Sequence, residues 1–201
     1  MSEINEKPES IYKAIKNLLS IAVKDRRNPY HTPVFSNISN SIQTESRIVV
    51  LRKFDEKNLI LNFHTDYRSP KIQDLEKNKN SSFLFYNPII KIQIRIKTIS
   101  TIHNQDIISK ESWELTNLSS RKCYLVQKKP SSETYKPEDG IPNHLNGVDP
   151  SKDESERGYK NFVVIQNKIE KIDWLHLAST GHRRLNIICK NNIPSFNWLI
   201  P

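Results

Sequence analysis

A chain of 201 residues with 36% hydrophobic content is long enough for one sizeable core and short for two. Its 26% charged and 8% aromatic residues, with no apolar run approaching ~18 residues, exclude a wholly disordered chain and a helical membrane span. The surplus of 31 Lys and Arg over 22 Asp and Glu leaves a net charge of +9, which attracts phosphorylated partners. The basic residues are scattered, and Asp25 interrupts the densest early patch, Lys24 to Arg27. A phosphate-bearing small molecule is therefore the expected partner, with nucleic acid the competing class. The opening segment, Met1 to Ser10, is polar and acidic and has neither a secretory nor a mitochondrial profile, so a cytoplasmic and also a nuclear setting are expected. Cys123 and Cys189 match no metal spacing and are too few to staple such a domain, so both are expected to be thiols.

In chain order, residues 9–24 place Ile11, Ile15, Leu18, Leu19 and Ala22 at three- and four-residue intervals, the apolar face of a helix. Residues 46–55 and 58–65 are β-branched runs that read as two paired strands around a polar turn. Ser69 then reads as an N-cap, with Pro70 the first helical residue and Ile72 and Leu75 at helical spacing. Residues 81–87 form a third strand. Residues 91–98 form a fourth, with Ile92, Ile94 and Ile96 on the core face and Lys91, Gln93, Arg95 and Lys97 opposite. Helical pieces follow at 106–129 around Trp113, Leu115, Leu118 and Tyr124, with Trp113, like Trp174 further on, expected to pack rather than stack on a ligand. The tract 129–160, rich in Pro, Ser, Asp, Glu, Lys and Gly, is expected to be a long flexible loop. Strand patterning returns at 161–169, 171–178, 184–190 and 195–201. This order predicts a single α+β domain over 1–201, an antiparallel closed or partly closed barrel with flanking helices.

The chemistry converges on a phosphate. Arg47 offers a planar fork from a strand, Thr65 and Ser69 offer hydroxyls from a turn, and Lys71 lies in the first turn of a helix, whose amides favour anions. Taken singly, the two cations could be surface charges and Ser69 only a cap. Arg47 and Arg52 are five residues apart, so a regular strand would project them to opposite faces.

Together these residues resemble the FMN-binding split barrels of the pyridoxamine 5′-phosphate oxidase type. Arg47-Ile48-Val49-Val50-Leu51-Arg52 is similar to that family's R-x-V-L-L-K strand, and His64-Thr65-Asp66-Tyr67-Arg68-Ser69-Pro70-Lys71 to its Y-T-N-x-x-S-R-K turn. Gln93 follows Lys71 at the family's interval, and Phe85-Tyr86 resembles its F-Y/P-W. The likeness implies an antiparallel split β-barrel and a homodimer with two protomers at each flavin site. It implies that Arg47, Thr65, Ser69 and Lys71 hold the FMN phosphate beside His64. The backbone of Ile48, Val49, Val50 and Leu51 would run along the flavin ring, and Gln93 would contact the ring's polar edge. Arg52, Arg121 and Arg184 would face a phosphorylated vitamin B6 substrate, whose hydride passes from C4′ to flavin N5 and then to oxygen. The chain departs from the pattern at Pro70 and His64, at Asn186 in Arg184-Leu185-Asn186 where the family has R-L-H, and at Ile188 in place of an Arg. An FMN-dependent reductase, a flavin-binding protein without turnover, or a barrel that has lost its ligand are the alternatives.

Overall fold

The computed structural model describes residues 7–201; the first six residues of the polar opening segment lie outside the described residues. Helix α1 spans Pro8–Lys24 and buries Ile11, Tyr12, Ile15, Leu19 and Ala22, the face expected from the spacing. Strands β1 (Val34–Ile38) and β2 (Thr44–Ile48) form a hairpin, and β3 (Lys53–Asp55) pairs with β4 (Ile60–Asp66). Helix α2 (Pro70–Lys77) leads into β5 (Asn80–Asn87) and β6 (Ile92–His103). Short helices α3 (Ile107–Glu114), α4 (Leu118–Arg121) and α5 (Lys152–Glu156) precede β7 (Phe162–His176), β8 (Arg183–Lys190) and β9 (Ile193–Leu199). Three-residue helical turns at Asn143–Leu145 and Tyr159–Asn161 also lie in the tract that sequence composition marks as a loop.

The nine strands make one open antiparallel sheet, ordered β2-β1-β5-β6-β7-β4-β3, with β8 and β9 branching from β7. The branch arises because β7 is long. Its first half pairs with β4 and its second half, Lys171 to His176, with β8. Between the halves, the register against β6 shifts at Lys97/Thr98, leaving one extra residue on β7, a bulge that bends the strand. This α+β arrangement is the split barrel expected from the sequence.

Residues 46–55, expected as one strand, are two. Ile48 ends β2, and residues 49–52 cross the split: the amides of Val49 and Leu51 donate to Pro33 and His31 carbonyls, and that of Arg52 to the Asn62 carbonyl on β4. The parity argument for Arg47 and Arg52 therefore does not apply, since no regular strand joins them. Inside the barrel, Phe35, Phe63 and Phe83 pack ring against ring, with centroids 4.7 to 6.2 Å apart, and α1 closes that core. A second cluster, Trp113, Tyr124, Phe162 and Val164, lies between α3, the segment after α4 and the start of β7. No helix among the described residues is long and apolar enough to cross a membrane.

Candidate functional site

Strand β4 ends at Asp66, and a tight turn carries the chain into α2. Ser69 holds the N-cap position but makes no side-chain capping bond. Its hydroxyl instead accepts from the Lys71 ammonium, which also donates to Thr65 Oγ1 at 3.0 Å. Pro70 at the first helical position costs the helix nothing, because the amide it lacks would have no helical partner there. Burial holds the Lys71 amine well below its ordinary value, at about 8, with the positive charge of Arg47 adding to the depression and Asp66 opposing it. Arg47, on the neighbouring hairpin, is likewise pushed down by burial and held up by Glu45 and Asp74. The structure thus gathers Arg47, Thr65, Ser69 and Lys71 into one partly desolvated cluster, a donor set suited to a phosphate monoester.

Behind the cluster lies a polar chain that sequence reasoning missed. Arg47 Nη1 donates to Asn37 Oδ1 on β1, and Asn37 Nδ2 donates to Asp74 Oδ2 on α2 at 3.2 Å. Asp74 Oδ1 also accepts from the Asn40 amide at 3.0 Å. Asn37 and Asp74 are 3% and 8% exposed, so these bonds are made away from water.

A cavity of about 500 Å³ opens over Thr65, Ser69 and Lys71, with Arg47 behind them and not among its lining residues. Thr65, Ser69 and Lys71 form one wall; Cys123, Tyr124 and Val126 form another, with 128–140 over the top. Arg68 fastens that cover. Its guanidinium pairs with Asp66 at 2.7 Å and donates to the Gln127 carbonyl at 3.1 Å, which explains why this arginine of the turn is not part of the cation cluster. His64 also lines the cavity and packs edge-on against Phe162. Burial and the nearby Arg52 charge depress its imidazole to about 4, so it is neutral at pH 7. Arg52 is exposed, and its charge also reaches Cys123 and Tyr124. The amides of Val49 and Leu51 are spent across the split, so contacts from 48–51 to a ligand fall to their carbonyls and to Val50.

Two other predicted residues sit together, away from this cluster. Gln93 on β6, Leu175 on β7 and Arg184 on β8 share one cross-strand row. Thr65 pairs with Val163, near the other end of β7, so the two groups are twelve positions apart on that strand, an extended path of about 40 Å. Arg184 is held by Asp173 at 2.8 Å, and Arg95 reaches the same carboxylate at 2.7 Å. Asn186, two residues on, carries a buried Oδ1 with no hydrogen-bond partner among the described residues.

Arg121, expected to face substrate, is placed inside the helical subdomain. It is 4% exposed, pairs with Glu156 at 2.7 Å, donates to Ser155 Oγ and to the carbonyls of Thr116 and Trp113, and lies 4.5 Å from the Trp113 ring centroid. Nearly all its donors are committed, so it clamps α3, α4 and α5 together. Trp113 and Trp174 are buried packing residues, as expected. Both cysteines are free thiols, as expected.

Residues 12–104, just under half the chain, match the family model described as pyridoxamine 5′-phosphate oxidase, FMN-binding domain. A curated Caenorhabditis elegans protein named as a candidate pyridoxamine 5′-phosphate oxidase is 33% identical over 64 residues, covering 32% of this chain and 27% of that protein. Among solved structures, a pyridoxamine 5′-phosphate oxidase-related, FMN-binding protein from Nostoc punctiforme superposes with a TM-score of 0.73 at 16% identity, covering 98% of this chain and all of the other. PhzG of Burkholderia lata, solved with tetrahydrophenazine-1-carboxylic acid, gives 0.73 at 15% identity over 100% and 97% of the two chains. At these identities the structural likeness speaks for the fold. The sequence matches, over part of the chain, are to the pyridoxamine 5′-phosphate oxidase FMN-binding family, and the structural likeness over nearly the whole chain is one of fold.

Proposed function

We propose that the protein binds FMN, with the phosphate on Arg47, Thr65, Ser69 and Lys71, and acts as an FMN-dependent oxidoreductase. One observation carries this reading: two cations share a partly desolvated cluster, where burial and then the charge of Arg47 lower Lys71 to about 8 beside the hydroxyls of Thr65 and Ser69. Such a pair is costly by itself and is relieved by an anion of two charges, which a phosphate monoester supplies. Pro70, standing where the family pattern has an Arg, leaves one donor fewer than that pattern, so moderate rather than very tight FMN affinity is expected.

The second group, Gln93, Arg184 and Asn186, lies at the far end of β7, and the buried Asn186 Oδ1 has no hydrogen-bond partner among the described residues. A homodimer in which this end of one protomer meets the cation cluster of its partner would bring Gln93 to the flavin ring. Bound FMN would supply hydride acceptance and reoxidation by oxygen. The protein's part would be to fix the phosphate, orient the ring and present Arg52 and Arg184 to an anionic substrate, for which a phosphorylated vitamin B6 compound is the first candidate. His64, neutral and at the cavity wall, would offer a hydrogen bond without adding charge.

The test is a titration of purified protein with FMN, followed by flavin absorbance near ~450 nm and fluorescence. Saturable binding that is lost in Lys71→Ala supports the reading; absence of binding at excess FMN overturns it. Peroxide and pyridoxal phosphate formation with FMN saturating then tests the B6 substrate, and silence there would leave a reductase or a non-turnover flavoprotein.

A further inference from the structure

We propose that Asp74 and Asn37 are positioning residues for the anion site: the carboxylate fixes the orientation of the Asn37 amide, and that amide aims Arg47 at the bound phosphate. The inference rests on the phosphate reading of the cluster. It is carried by the direction of the hydrogen bonds.

An asparagine amide presents an oxygen on one side and an NH2 on the other, and side-chain neighbours decide which way it lies. A carboxylate only accepts, and a guanidinium only donates. Asn37 stands between one of each. Asp74 Oδ2 takes its Nδ2 at 3.2 Å, which turns Oδ1 toward Arg47 Nη1. The Ile38 carbonyl takes a second bond from the same Nδ2 at 3.3 Å, reinforcing that orientation. A reversed amide would set NH2 against the guanidinium and oxygen against the carboxylate, two repulsions in a site where both Asn37 and Asp74 are buried.

The elements that supply the chain make it more than a local bond. Asp74 and Lys71 are three residues apart on α2, so one helix carries both a phosphate-binding cation and the anion that controls the other cation. Asn37 belongs to β1, opposite Arg47's own strand, β2, and Phe35 two residues earlier lies 5.9 Å under the guanidinium. The remaining acid near Arg47 is Glu45, whose carboxylate, 3.9 Å away and 51% exposed, is too loose to orient it; the Glu45 carbonyl accepts a second bond from Nη1 at 3.1 Å at the exposed side. Asp74 also supplies negative charge that helps hold Arg47 protonated against its burial.

The experiment compares FMN with riboflavin, which has the same ring and ribityl chain and no phosphate. In Asp74→Asn, FMN affinity should fall about tenfold or more, the loss of one charge-assisted contact, while riboflavin affinity stays within about twofold. In an Arg47→Ala background, the same Asp74→Asn change should cost FMN nothing further. A purely architectural role would weaken both ligands alike and would persist in the Arg47→Ala background, and either result overturns the proposal. Asn37→Ala provides an independent variant with the same expected pattern. Should both variants fail to fold, the side-chain amide of Asn37 in the unaltered protein decides: its protons should be protected from exchange and respond to FMN, and fast-exchanging, FMN-blind protons would reject the relay. If the unaltered protein binds riboflavin and FMN equally, the phosphate reading itself falls, a result distinct from a phosphate preference that Asp74→Asn leaves untouched.

Discussion

The depressed Lys71 amine should make the proposed FMN binding pH-dependent in a calculable way. Free protein holds the group at about 8, whereas a bound phosphate dianion should return it toward its ordinary 10.5. The phosphate's own second ionisation is complete well below that range, near ~6. Binding should therefore take up roughly half a proton at pH 8 and about 0.9 at pH 9, and the Kd should weaken by about tenfold per unit above pH 8 while staying flat just below it. Calorimetry in two buffers of different ionisation enthalpy measures the proton count, and a fluorescence titration gives Kd. Riboflavin serves as the control, since its binding should lack this dependence. Lys71→Met should bind FMN weakly with no alkaline loss. The free protein carries the mirror effect: the unfolded chain binds the extra proton between about pH 8 and 10.5, so stability rises with pH across that window, by up to about 3 kcal/mol. A pH-independent Kd from 7.5 to 9.5 without proton uptake, in protein that does bind FMN, would falsify the claim that Lys71 receives the phosphate.

His64 gives an acid-side counterpart. Its folded value of about 4 lies below the ordinary 6.5, so stability present above pH 6.5 is lost as pH falls toward 4, by up to about 3 kcal/mol; His64→Tyr should flatten that limb in urea melts between pH 4.5 and 7. Arg121→Ala should destabilise by about 2–4 kcal/mol through the lost clamp on α3–α5, and a change in substrate KM in a variant of undiminished Tm would contradict the structural assignment. In the proposed homodimer, mixing Lys71→Ala with Gln93→Ala chains should restore FMN binding at up to half the sites, because one of the two mixed sites then holds both intact groups; no recovery in verified mixed dimers would reject a shared site.

Much of the fold could be read from the chain because its signals are local. The apolar face of α1, the Ser69-Pro70 start of α2 and the alternation of β6 each follow from spacing within a few residues. What could not be read depends on partners. Strand β1 was hidden because its buried positions include Asn37, a polar residue whose place in the interior is made tenable by Asp74 and Arg47. Residues 46–55 centre on the unbroken apolar run Ile48-Val49-Val50-Leu51, yet they change neighbours midway, and propensity is blind to which edge a strand meets. The bulge split β7 into two apparent strands.

The candidate site divides the same way. The Thr65, Ser69 and Lys71 group was legible because it lies within one turn and helix start. Arg121 was misplaced because a buried clamp and a ligand contact ask for the same residue type, and only Glu156, 35 positions away, distinguishes them. Arg68 shows the same ambiguity, settled by Asp66 and the Gln127 carbonyl.

The crossing of the split at 49–52 has a mechanical consequence. The rims on either side of the opening are consecutive stretches of one chain, tied by four residues, so that Ile48 and Lys53 can stand at most about 18 Å apart. The gap between β2 and β3 is thereby a covalent dimension, capped by chain length rather than by sheet breathing. A ligand lying along this bridge would meet a frame of bounded width, and lengthening the bridge by even one residue should loosen its grip without disturbing any side chain that touches it.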